Sequence, residues 1–126
     1  MIFEHFAVNV ADAVSVVEWY ESNMGLKARV ADKKTPFMTF LEDSTGRVVI
    51  ELYQRSDAPV TDFSKENSLS FHVAFVSENA EQDKKRLLEN GATFEVEVNL
   101  EDGSHIVMLR DPWGMPLQLC QRANPF

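Results

Sequence analysis

Several things are scarce in this chain, and each shortage removes a class of function. It holds one cysteine, Cys120, so neither an internal disulfide nor a thiolate metal cluster can form. Basic residues are outnumbered, 12 Lys and Arg against 20 Asp and Glu, for a net charge of -8. Nucleic-acid binders draw most of their affinity from cationic side chains that neutralise phosphate. No basic cluster interrupts the acidity, so neither nucleic acid nor a membrane surface is expected as a partner. No apolar run approaches the roughly 20 residues that a bilayer-spanning helix needs. The opening Met1-Ile2-Phe3-Glu4-His5 lacks the basic flank and apolar core of a secretory signal, and a cytoplasmic address is the expectation. Glycine is limited to five residues, and neither a Gly-rich phosphate loop nor a Gly-x-Ser-x-Gly elbow is present.

What is present is an internal repeat. Shifting the 126-residue chain by 67 places His5 on His72, Ala7 on Ala74, Ala13 on Ala80, Leu52 on Leu119, Gln54 on Gln121 and Arg55 on Arg122. No gap is needed, and the matches fall at both ends of the unit. His5 precedes Glu51 by the same 46 residues that separate His72 from Gln118. Duplication accounts for this placement better than chance. The length allows one domain with one core, divided into module one at about 1–55, a polar linker at about 56–67 and module two at about 68–122.

Hydrophobic periodicity gives both modules one plan. An apolar strand from Phe3 to Val10 leads into a helix that starts near Asp12, a plausible N-cap, and is closed by Gly25. Strands are predicted over Leu26 to Ala31, Phe37 to Leu41 and Val48 to Tyr53. In the second module a strand from Leu69 to Val76 precedes a helix over Glu78 to Asn90. Strands then follow over Thr93 to Val98, His105 to Leu109 and Pro116 to Cys120. The fold class is therefore α+β, two tandem βαβββ modules.

Strand alternation sorts the polar residues onto faces. His5, Ala7 and Asn9 point opposite to Phe6 and Val8, and Glu51 and Tyr53 point opposite to Ile50 and Leu52. His72 and Ala74 oppose Val73 and Phe75, while Gln118 and Cys120 oppose Leu117 and Leu119. Four strands thus each turn one residue of ligand type away from an apolar face. Two imidazoles, a carboxylate and an amide oxygen suit a divalent ion without selecting among Zn, Ni, Co, Mn and Fe.

The Glu4-His5-Phe6-Ala7-Val8-Asn9-Val10 opening, the Asp111-Pro112-Trp113-Gly114 turn before Leu117-Gln118-Leu119, and the paired modules resemble the vicinal oxygen chelate, or glyoxalase-like, superfamily. The resemblance covers nearly the whole chain. It implies that the strands curl into a cup-shaped, partly open mixed sheet with the helices outside. It also implies one divalent metal held by His5, Glu51, His72 and Gln118, although relatives usually carry Glu at the last position. Some members of the superfamily have lost the metal.

The activity implied is that of a lyase or isomerase. It would hold a small compound by two adjacent oxygens, stabilise an enediolate and move a proton with Glu51. Gln118 rules out a second metal-bound carboxylate as base. Asn9, Tyr53, His105 and Cys120 are further candidates for substrate contact. Asn9 stands where glutathione-dependent glyoxalase I carries Arg, and Glu51-Leu52-Tyr53-Gln54-Arg55 lacks that enzyme's Asn, so a different small oxygenated substrate is expected. The alternatives are a non-catalytic small-molecule or antibiotic-sequestering protein and, third, an Fe(II) extradiol-type dioxygenase. A homodimer is expected on the same resemblance.

Overall fold

Asp12 and Asn79, at equivalent positions of the repeat, each open a helix in the computed structural model, which describes all 126 residues. The Asp12 carboxylate accepts from the Ser15 backbone N–H, and the Asn79 side chain accepts from that of Gln82. Each cap satisfies a donor with no partner inside the helix. A second repeat-equivalent bond ties each helix to its sheet. Gln54 accepts from the Ala13 N–H at 3.3 Å, and Gln121 accepts from the Ala80 N–H at 2.9 Å. The Ala and Gln identities of the repeat thus encode one device twice.

The chain divides into two compact units, Met1–Thr61 and Asp62–Phe126. In the first, β1 (Phe6–Asn9) is followed by α1 (Ala13–Met24), β2 (Lys27–Ala31), β3 (Thr39–Glu42) and β4 (Val48–Tyr53). The strand order is β1-β4-β3-β2, with β1 parallel to β4 and the other pairings antiparallel. Gly25, at φ 68, ends α1 in the left-handed region. Val8, Leu41, Ile50 and Leu52 are buried on one sheet face together with Val16 and Tyr20 of α1.

The second unit opens with a short 3-10 turn (Phe63–Lys65). It continues with β5 (Val73–Val76), α2 (Ala80–Glu89), β6 (Thr93–Asn99), β7 (His105–Arg110) and β8 (Pro116–Gln121). The order β5-β8-β7-β6 repeats that of the first unit, again with one parallel pair, β5 to β8. Leu87 of α2 is buried, as are Val107, Leu109, Leu117 and Leu119 of the sheet. Gly114 has φ +90, and a Cβ there would come within 2.8 Å of Ser64. Conformation and space both require glycine at this point of the Asp111–Gly114 turn.

The fold class read from the sequence, α+β with two tandem modules, is the one observed. The first strand of each module is shorter than expected. Pairing with β4 begins only at Phe6, opposite Ile50. Residues 69–71 are held in a turn instead of a strand: Asn67 accepts the Leu69 N–H through its side chain and those of Ser70 and Phe71 through its carbonyl. A local side-chain bond has competed successfully with strand pairing there.

Candidate functional site

Sheet register places the candidate residues, each unit taken by itself. In the first unit Ala7, Glu51, Phe40 and Val30 stand side by side across four strands. Cross-strand partners share a face, so Glu51 is the only polar member of an otherwise apolar row. His5 reaches it from just before β1, with Nε2 3.2 Å from Glu51 Oε2. The two side chains are 25% and 16% exposed. On its other side the His5 ring meets Phe40 edge-on, with centroids 5.4 Å apart. Its Nδ1 is buried and lies against the Glu4 carboxylate without hydrogen-bond geometry.

The corresponding row of the second unit is Ala74, Gln118, Met108 and Val96. Gln118 again interrupts an apolar row, and its Oε1 accepts from the Cys120 thiol at 3.2 Å. His72 immediately precedes β5. Its Nδ1 lies 2.8 Å from the Ser68 carbonyl. A carbonyl only accepts, so Nδ1 carries a proton, and in the neutral ring that leaves the lone pair on Nε2.

A ligand set for a divalent ion can be tested on these contacts. Bonds of about 2.0–2.2 Å to one ion place neighbouring donor atoms roughly 3 Å apart, and the 3.2 Å between His5 and Glu51 fits that spacing. Metal-binding imidazoles characteristically hold their second nitrogen against a carboxylate or carbonyl. The Ser68 carbonyl occupies that place for His72, whereas Nδ1 of His5 makes no hydrogen bond. The spacing of His5 and Glu51 in the first unit and the donor types of His72 and Gln118 in the second suit a divalent ion.

The weaker candidates divide. Tyr53 stands opposite Asn9 in the register, on Glu51's side of the sheet. The Asn9 amide is committed to backbone: Nδ2 donates to the carbonyls of Arg55, Ala58 and Pro59, and Oδ1 accepts the Arg55 N–H at 2.8 Å. Cys120 is buried, and desolvation raises its thiol pKa, which makes it a poor nucleophile at neutral pH.

His105 pairs with Gln121 across β8 and shares a face with Val107 and Leu109, opposite to that of Gln118. Its Nε2 is 2.9 Å from Glu97, which is itself 2.9 Å from Lys84 Nζ of α2. Glu81, Glu97 and His105 have ligand atoms within 4.8 Å of one another. The Lys84 ammonium, 2.6 Å from Glu81, already supplies the cation between these carboxylates. Hydrogen bonds from Lys84 and His105 hold the Glu97 carboxyl below its ordinary pKa, and Glu81 and Glu97 raise that of Lys84. Sequence reading missed Lys84, Glu4 and Ser68. Only Glu4 had a signal, its adjacency to His5.

Comparison with known proteins decides the family. The family profile described as Glyoxalase/Bleomycin resistance protein/Dioxygenase superfamily matches residues 2–119. The chain belongs to this superfamily. Among solved members of similar fold is the glyoxalase family protein from Enterococcus faecalis, 21% identical with a TM-score of 0.70, covering 94% of this chain and 96% of that one. Lactoylglutathione lyase from Agrobacterium tumefaciens is 18% identical with a TM-score of 0.65, over 94% and 92% of the two chains. TnmS3, an antibiotic binding protein from a Streptomyces species, is 16% identical with a TM-score of 0.68, over 95% and 94%. No curated protein matches the sequence. These glyoxalase-superfamily likenesses extend to the fold. No helix of the chain is long and apolar enough to cross a membrane.

Proposed function

We propose that this glyoxalase-superfamily chain is a metal-dependent lyase or isomerase for a small compound with two adjacent oxygens. His5, Glu51, His72 and Gln118 are its ligand set. The observation that carries the proposal is the His5–Glu51 pair, an imidazole 3.2 Å from a largely buried carboxylate that stands in an apolar row. A carboxylate in such surroundings is costly without a cationic partner. When bound, a divalent ion supplies Lewis acidity toward the substrate oxygens.

The chain's own residues supply the rest. Glu51 takes the proton from the carbon beside the substrate carbonyl and returns it to the neighbouring carbon. Gln118, an amide, contributes an oxygen but no basicity. Ala7 and Phe40 keep the row around Glu51 apolar, which strengthens electrostatic interactions at the carboxylate.

Exposed Val76, Val96 and Val98 lie on the Gln118 side of the second sheet. A second copy of the chain is assigned to cover them, giving a homodimer.

Metal content tests the reading directly. Protein purified without chelator should hold stoichiometric divalent metal, and His5→Ala and Glu51→Ala should both lose it. Equal metal in all three proteins would remove the site. A second reading, a small-molecule binding protein without a metal, draws on the similarity to the antibiotic binding protein and on the direct 3.2 Å contact of His5 with Glu51. Tight ligand binding that persists after metal removal would favour it.

A further inference from the structure

His72 does not hold its orientation alone. Its Nδ1–H is accepted by the Ser68 carbonyl at 2.8 Å. The Ser68 hydroxyl, in a residue only 4% exposed, makes a short hydrogen bond to Glu95 Oε1. Glu95 Oε2 in turn accepts from Arg110 Nε at 3.0 Å. The remaining Arg110 nitrogens grip the segment that leads to His72, Nη1 donating to the Phe63 carbonyl and Nη2 to that of Glu66, while Nη1 also donates to Gly114 in the turn before β8. All members of this chain belong to the second unit.

Glu95 takes part because β6 departs from regular pairing there. The register shifts between Phe94, opposite Leu109, and Val96, opposite Met108, so that Glu95 is the extra residue of a bulge. Bulges characteristically re-aim a side chain. Here the re-aimed carboxylate reaches both Ser68 and Arg110, one with each oxygen.

We propose that Ser68, Glu95 and Arg110 are positioning residues that lock His72 in the Nδ1–H tautomer and keep its Nε2 lone pair ready for a ligand. The inference rests on the reading of His72 as a metal ligand. Holding the 63–68 segment in place would need only packing. The chain does more, because it ends on a carbonyl, which fixes where the imidazole proton must reside. Second-shell partners of this type characteristically change metal affinity about tenfold to a hundredfold when removed.

The test separates the positioning chain from the metal reading. The protein has three histidines, so nitrogen-15 spectra of the metal-free chain resolve their tautomers, with His72→Gln assigning the signal. The wild type should show His72 protonated at Nδ1. Ser68→Ala and Glu95→Ala, folded by circular dichroism, should lose that signature, and Ser68→Thr should keep it. Calorimetric Zn(II) titration should then give about tenfold or greater weakening for Ser68→Ala and Glu95→Ala. The double variant should be no weaker than the worse single one, since both cut one link.

A folded Ser68→Ala protein that retains the Nδ1–H tautomer would overturn the proposal, as would independent, multiplying losses in the double variant. A tautomer shift in a protein that binds no Zn(II) would uphold the positioning chain while removing the metal reading.

Discussion

Nε2 of His5 and Oε2 of Glu51 are brought to 3.2 Å by the parallel register of β1 and β4, which sets Ala7 directly beside Glu51. The pair is separated by 46 residues in sequence, and each member is too exposed to be ordinary core. Glu51→Gln tests the two roles given to the carboxylate. The amide keeps an oxygen ligand but has no basicity, so metal content should fall less than in Glu51→Ala. Turnover should drop about 10²- to 10⁴-fold, the usual worth of a general base. Parallel losses of metal and turnover in the Gln variant would assign Glu51 to binding alone.

Lys84 and Glu97 should make stability depend on pH at both ends. Glu97 has a lowered pKa, first through its bond from Lys84 and then through that from His105. Its contribution is present above the ordinary carboxylate range and is lost as pH falls through the depressed value. Lys84 has a raised pKa, through Glu81 and then Glu97. Its contribution is complete below the ordinary lysine value and fades as pH rises through the elevated one. Lys84→Met should flatten the melting temperature at both extremes relative to wild type. An unchanged pH profile would show that solvent screens these bonds completely.

Cys120 is buried and its thiol is raised in pKa by desolvation. Alkylation at neutral pH should therefore be slow in the native protein and rapid in denaturant. Cys120→Ala should leave any activity within a few-fold of wild type. Rapid modification of the folded chain, with loss of activity, would instead identify a reactive thiol.

Asn9 closes the strand end of the first unit by bonding Arg55, Ala58 and Pro59. Asn9→Ala removes the partner of the Arg55 N–H and of three carbonyls, most of them open to water, and should cost about 0.5–1.5 kcal/mol. Hydrogen exchange should quicken first at Arg55. A loss confined to substrate affinity, with stability unchanged, would return Asn9 to the role of a ligand contact.

The sequence by itself carried the duplication, the α+β plan and the strand faces of Glu51, Tyr53, Gln118 and Cys120, while His105 lies on the face opposite to Gln118. These follow from a gapless repeat and from the two-residue period of strands, both local properties. It also carried the helix-capping position Asp12, because a cap acts within three residues; the matching cap at Asn79 came from the structure. Long-range juxtaposition had no such signal. Only the tertiary structure set His5 against Glu51, turned Glu95 at a bulge toward Ser68 and Arg110, and gave His105 to Glu97 and Lys84. Alternation fixes the side from which a residue leaves its strand. Partner choice depends on register and bulges, which are decided between strands far apart in the chain.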